Sequence, residues 1–189
     1  MKIFVVDNFD SFTFNLVHIL EQSADKVQVK RNDLINIEEL KEFDKIVFSP
    51  GPGLPSEVKI MYQIIEQYQS HKSILGVCLG HQAIGEFYGA QLKNMHEVNH
   101  GREIPTQIIH PDYIFNKVPE IFLSGRYHSW IVDHNHLPES IEITSIDPKG
   151  HIMSLRHKTF DIRGVQFHPE SIMTEYGTRI LKNWVLHSL

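Results

Sequence analysis

"SILGVCLGHQAIGEFYG", residues 73–89, runs from an apolar stretch through Gly76, Cys78 and Gly80 into an amphipathic segment. Ser73–Cys78 reads as a buried strand, and Leu79–Gly89 as a helix that stops near Gly89. Cys78 stands on the sharp turn between them. Glycines two residues to either side relieve crowding at such a turn, as in a nucleophile elbow with cysteine in place of serine. The helix start offers unpaired backbone N–H groups and a positive dipole end, and both favour a thiolate. On this stretch alone, a packed core thiol is the competing reading.

The segments before this elbow alternate in type. "KIFVV" (2–6) is a short β-branched strand, followed by "DNFDSF" (7–12), with Asp10 and Ser11 as candidate helix caps. Phe14, Val17, His18, Leu20 and Glu21 have helical spacing. "KVQVKR" (26–31) is a strand, "IEELKEF" (37–43) a short helix, "KIVFSP" (45–50) a strand and "EVKIMYQIIEQYQSH" (57–71) a helix. This β-α alternation predicts an α/β fold with a mostly parallel central sheet and helices on both faces. After the elbow helix, strand-like runs dominate: residues 102–110, 120–132, 141–147, 151–157 and 162–168. "ESIMTEYGTRILKNWVLHSL" (170–189) reads as a closing helix. No linker or repeat interrupts the pattern, so residues 1–189 are expected to form one domain.

Composition narrows the function. Apolar residues make up 41% and charged residues 22%, an ordinary globular balance. The formal net charge of −5 gives no electrostatic footprint for nucleic acid. No run is long and apolar enough for a membrane span or a signal peptide. A single cysteine cannot form an internal disulfide, which fits a reducing, cytoplasmic setting.

A thiolate nucleophile needs a base, and the base needs an orienting group. "GVQFHPES" (164–171) supplies His168 and Glu170, one residue apart. Pro169 biases His168 toward extended backbone, where residues i and i+2 point the same way. "SPGPGLP" (49–55) follows a strand, so a parallel sheet puts it at the same edge as Cys78. Its glycines allow close approach to a ligand and leave an N–H free to join that of Leu79 in an oxyanion hole. It lacks the Gly-Lys-Ser/Thr ending of a phosphate loop.

"SPGPGLP", "GVCLGHQ" and "GVQFHPES", in this order, resemble the class I, triad-type glutamine amidotransferases. "VVDNFDSFTFNL" (5–16), "NHGREI" (99–104) and "RYHSWIV" (126–132) narrow the likeness to the glutaminase components of anthranilate synthase and aminodeoxychorismate synthase. It spans essentially the whole chain and implies that family's flavodoxin-like fold. Carried over by position, it implies that Cys78 attacks the carboxamide of L-glutamine, His168 is base and then acid, and Glu170 orients His168. Backbone amides of Gly53 and Leu79 form the oxyanion hole. Gly51, Pro52, Gly53, Gln82, Ser129 and Trp130 hold glutamine, with Trp130 at a position usually held by leucine. The resemblance implies no cofactor in this chain, magnesium belonging to a chorismate-binding synthase partner that uses the ammonia. Anthranilate is the first reading of that partner's product, and aminodeoxychorismate, or service to both synthases, the second.

Other readings compete less well. A glutaminase component of GMP synthetase fits "DNFDSFTFNL" and "RYHSW" poorly. A cysteine peptidase leaves "PGPG" and "HPE" unexplained, and a non-catalytic module does not account for Cys78, His168 and Glu170 together. Thirteen histidines invite a metal reading, but His134 and His136 are the closest pair and no Cys or acidic set joins them at zinc spacing. On the 120–132 strand, Arg126 and His128 alternate with Tyr127 and Ser129, so one pair faces the active-site edge or a partner, with simple exposure as the competing reading.

Overall fold

The computed structural model describes residues 1–188, and for residues 96–100 the backbone only, so the side chains of Asn99 and His100 in the "NHGREI" stretch lie outside the description. Strands β1 (Lys2–Asp7), β2 (Lys26–Arg31), β3 (Lys45–Phe48), β4 (Ser73–Val77), β5 (Leu92–Ile108), β6 (Ile121–Val132), β7 (Ile141–Ile146), β8 (Ile152–His157) and β9 (Ile162–Val165) form one sheet. Its order is β2-β1-β3-β4-β9-β8-β7-β5-β6. The α/β class holds. The sheet is mixed: β2, β1, β3, β4 and β9 pair in parallel, and β9, β8, β7, β5 and β6 pair antiparallel.

Both faces of the parallel half are covered, which explains its continuous apolar strands. Phe4, Val6, Ile46, Phe48 and Ile74 point to one core with α2 (Lys59–Tyr68) and α3 (Leu79–Phe87). Ile3, Val5, Val47, Leu75 and Val77 point to the other core, where α1 (Thr13–Glu21) and α4 (Gly177–Leu186) pack. Among the described residues, no helix is long and apolar enough to cross a membrane.

β1 lies between β2 and β3, so the chain leaves it in one direction and returns on the other side. Such a switch point opens a crevice beyond the carboxyl ends of the strands. Asn8, Ser49, Cys78 and Gln166 stand just past the carboxyl ends of β1, β3, β4 and β9, at that one edge.

Three elements depart from the sequence expectations. β5 begins at Leu92 rather than near Arg102, because its polar first half is held by backbone pairing with β6 across two register shifts. The 37–43 helix is a 3₁₀ turn over Ile37–Glu42, capped by Asn36 and Glu39. The closing helix starts at Gly177, not Glu170. Thr174 Oγ1 donates to His168 O at 2.6 Å, Ser171 N donates to the same oxygen at 3.2 Å, and Tyr176 takes a left-handed φ of 58°. These bonds turn the chain back on itself and delay the helix by two turns. The expected capping of α1 by Asp10 or Ser11 is not made: Phe12 is the N-cap residue, without a side-chain cap bond, and Asp10 Oδ1 instead accepts from Phe12 N at 2.8 Å in the turn before the helix.

The β4–α3 junction has no room to spare. A Cβ on Gly76 would meet the Gly80 carbonyl at 2.4 Å, and one on Gly80 would meet Phe48 Cβ at 2.5 Å. Gly76→Ala is expected to destabilise the fold by about 1–3 kcal/mol, as overpacking does when backbone must move, read as a lowered urea midpoint with unchanged slope. His81, fully buried on α3, lies against Gly164, where a Cβ would be 2.8 Å from Nδ1. Burial pushes its pKa down to about 4. Between about pH 6.5 and 4 the unfolded chain therefore binds a proton that folded His81 refuses, and stability falls as pH falls. The stability gap between the parent and His81→Asn should narrow as urea titrations move from about pH 7.5 to about 4.5.

Candidate active site

Cys78 adopts φ 52° and ψ −99°, a strained conformation for a residue with a side chain. Its amide donates to Val165 O of β9 at 2.8 Å, and its carbonyl accepts from Gln82 N at 3.0 Å as the first turn of α3 forms. The elbow read from the sequence is thus present, with Cys78 7% exposed at the start of a helix.

His168 and Glu170 meet as the i, i+2 spacing requires. His168 Nδ1 lies 2.7 Å from Glu170 Oε1, with side chains 3% and 0% exposed. The chain has already left β9, and His168 N donates to Gly125 O at 3.2 Å to hold it against β6. The rings of Tyr127 and Phe12 pack edge-on against the imidazole, with centroids 4.9 and 5.8 Å away. Donation from Nδ1 to Glu170 leaves Nε2 as the working nitrogen, and Nε2 is buried without a hydrogen-bond partner. Burial disfavours the imidazolium, but the neighbouring Cys78 thiolate and Glu170 outweigh it and hold His168 well above the usual histidine range. The arrangement therefore favours the imidazolium form of His168 beside Cys78.

The 49–55 loop closes one wall. Asn8 Nδ2 donates to Ser49 O at 2.9 Å, and Ser49 Oγ accepts from Asn8 N at 2.9 Å. Gly51 sits between Asn8 and Leu79, where a Cβ would come within 2.6 Å of Asn8 Cβ and 2.8 Å of Leu79 Cδ2. Gly53 takes φ +76°, and Glu57 anchors the far side by accepting from Leu54 N at 3.1 Å.

A cavity of about 160 Å³ opens here, lined by Gly51, Pro52, Gly53, Cys78, Leu79, Gln82, Ser129 and Trp130, with Tyr127 and His128. Every position expected to hold glutamine therefore faces one small space. Gln82 Nε2 donates to Trp130 O at 2.9 Å and to Gln166 Oε1 at 3.1 Å. Both its N–H groups are thus committed, and it can meet a ligand only as an acceptor. Trp130 takes part through its carbonyl, so an indole in place of a leucine side chain leaves these bonds intact. A larger cleft of about 880 Å³ between Ile108–Glu120 and Arg156 shares no lining residue with this cavity. Its buried carboxylate, Asp112, is already paired with Arg156 and Arg163.

Of the two alternating pairs on β6, Tyr127 and Ser129 line the cavity. Arg126 is fully buried and donates to Thr106 Oγ1 at 2.7 Å. His128 lines the cavity as well, opposite the register shift of β5 between Asn94 and Asn99. His128 Nδ1 lies 3.1 Å from Trp130 O, and burial first, then the Arg126 charge, push its pKa down to about 3, so it is neutral. Among the described residues, no group of three or more His, Cys, Asp or Glu side chains is placed to hold a metal. Sequence reasoning missed Asn8, Gln166 and Phe12. Gln166 had a signal, since Gln166, His168 and Glu170 share one two-residue period.

The chain matches the family "Glutamine amidotransferase class-I" over residues 4–188. It is 40% identical to an anthranilate synthase component 2 of Pyropia yezoensis, over 98% of this chain and 100% of the relative. It is also 40% identical to an aminodeoxychorismate/anthranilate synthase component 2 of Bacillus subtilis, over 97% of this chain and 95% of the relative. A crystal structure from Thermoplasma acidophilum, described as that of a GMP synthase subunit, superposes with a TM-score of 0.88 at 26% identity, covering 98% of this chain and 92% of that one. With the family match spanning nearly every residue, this chain belongs to the class I glutamine amidotransferases.

Proposed function

We propose that this chain is the glutaminase component of a chorismate-using synthase, releasing ammonia from L-glutamine for a second protein. The observation that carries this reading is the strained Cys78 beside the buried His168–Glu170 pair, at the floor of a cavity sized for one amino acid. In this reading residues 1–189 act as a single amidotransferase domain in the cytoplasm.

The Cys78 thiolate attacks the side-chain carboxamide carbon, forming a C–S bond and placing negative charge on the oxygen. The N–H groups of Gly53 and Leu79 receive that charge. Leu79 belongs to the first turn of α3, whose amides lack partners within the helix. The His168 imidazolium gives its proton to the departing nitrogen, and ammonia leaves as the thioester forms. Water then attacks the thioester while His168 takes its proton, releasing glutamate and restoring the thiolate. Glu170 holds the ring and stabilises its positive charge. Gly51, Pro52, Gln82, Ser129 and Trp130 position glutamine, with Gln82 Oε1 as a hydrogen-bond acceptor. No step requires a cofactor in this chain.

The first reading of the acceptor reaction is anthranilate formation and the second aminodeoxychorismate formation. The relatives carry both names, and that of Bacillus subtilis carries both at once.

The test uses this chain with the synthase that co-purifies with it, supplied with chorismate and either glutamine or an ammonium salt. Cys78→Ala should abolish the glutamine-dependent reaction and spare the ammonium-dependent one. Equal loss of both would make Cys78 structural. The product formed identifies the partner. Under the same conditions His168→Ala should lower glutamine turnover roughly 10²–10⁴-fold, the usual worth of a general acid–base group. Glu170→Ala should cost less, because it orients the ring without moving a proton. A folded Glu170 variant more impaired than the His168 variant would contradict these roles.

A further inference from the structure

We infer that Gln166 is a positioning residue for the nucleophile: its carboxamide N–H holds the Cys78 sulfur and stabilises it as the anion. Gln166 is fully buried, and its Nε2 lies 3.6 Å from Cys78 Sγ, a hydrogen-bonding distance for the large sulfur atom. Its backbone is fixed too, since Gln166 N donates to Met153 O at 2.8 Å.

The direction of this bond follows from the groups around it. An amide side chain can be turned end for end, so its polarity must come from its neighbours. Trp130 O, a backbone carbonyl that can only accept, sets the first polarity. Gln82 must therefore turn Nε2 toward it, as the 2.9 Å contact shows. The same nitrogen lies 3.1 Å from the Gln166 carboxamide, which must then present its oxygen. That leaves the Gln166 NH₂ group facing sulfur. Turning Gln166 over would set two NH₂ groups against each other and the amide oxygen against the thiolate.

A donor aimed at a group favours that group's anionic form. In this buried pocket there is little water to do the same. His168 supplies the positive charge beside Cys78, and Gln166 supplies a neutral donor that stays in place when His168 gives up its proton. The sulfur therefore keeps one fixed partner as the thiolate attacks and again as the thiolate is restored when the thioester is hydrolysed. Gln166 has this role only if Cys78 is the nucleophile, the reading proposed above.

Cys78 is the sole cysteine, so alkylation by iodoacetamide reports on this sulfur alone. The rate should be followed against pH for the parent chain, Gln166→Leu and Gln166→Met. Both variants remove the donor, and methionine keeps the length of glutamine if leucine does not pack. Both are expected to move the midpoint of the profile up by about one pH unit, so that below it they react about tenfold more slowly than the parent, the scale of a hydrogen bond to a charged group. They should converge with the parent at alkaline pH, where every form is ionised. Coincident profiles would overturn the role of Gln166. So would variants that are slow at every pH, since that pattern reports blocked access. Glutamate release from glutamine by the parent, with its synthase present, tests the reading of Cys78 separately. Its absence would count against that reading, while coincident profiles in an active enzyme would count against Gln166 alone.

Discussion

The site depends on one backbone conformation. Cys78 is held at φ 52°, ψ −99°, a geometry that costs of order 1–3 kcal/mol and persists only where its surroundings enforce it. Here β4 and α3 approach so closely at Gly76 and Gly80 that neither can carry a side chain, and β3 closes against the same turn through Phe48. The Cys78 amide is tied to β9. The strain points the sulfur at the open edge of the sheet while the polypeptide around it remains core.

That edge gathers the rest of the machinery. Parallel pairing of β1, β3, β4 and β9 places their carboxyl ends side by side. Each contributes a group from the residues that follow: Asn8 clamps the loop wall, Ser49–Gly53 form it, Cys78 presents its sulfur, and Gln166, His168 and Glu170 approach from the far side. The antiparallel half adds a second wall through Tyr127, His128, Ser129 and the carbonyl of Trp130. Three histidines share this interior with different electrostatic fates. His81 and His128 are buried without a negative partner and stay neutral, whereas His168 has Glu170 on one side and Cys78 on the other. Of the three, only His168, with Glu170 and Cys78 beside it, is prepared to carry a proton.

Much of this was legible in the sequence because local signals agreed with the global fold. The elbow, the "SPGPGLP" turn and the His168–Glu170 spacing each follow from short-range rules of backbone geometry, and the β-α alternation set the parallel half. Elements governed by distant contacts were harder to see. The first half of β5 has no apolar period because β6 holds it through backbone bonds. Residues 170–176 look helical until Thr174 and Ser171 are seen bonding to the His168 carbonyl. The polarity of Gln166 depends on Trp130, far earlier in the sequence, and no local pattern encodes it.

The central claim is that Cys78 forms a covalent bond with substrate. The direct measurement is peptide mass spectrometry after rapid acid quenching of the chain and its synthase during turnover of isotopically labelled L-glutamine. The account predicts labelled glutamyl acyl group on the peptide that contains Cys78, lost on treatment with hydroxylamine. Label on a different residue, or steady glutamate release with no acyl group on Cys78 at any quench time, would contradict it.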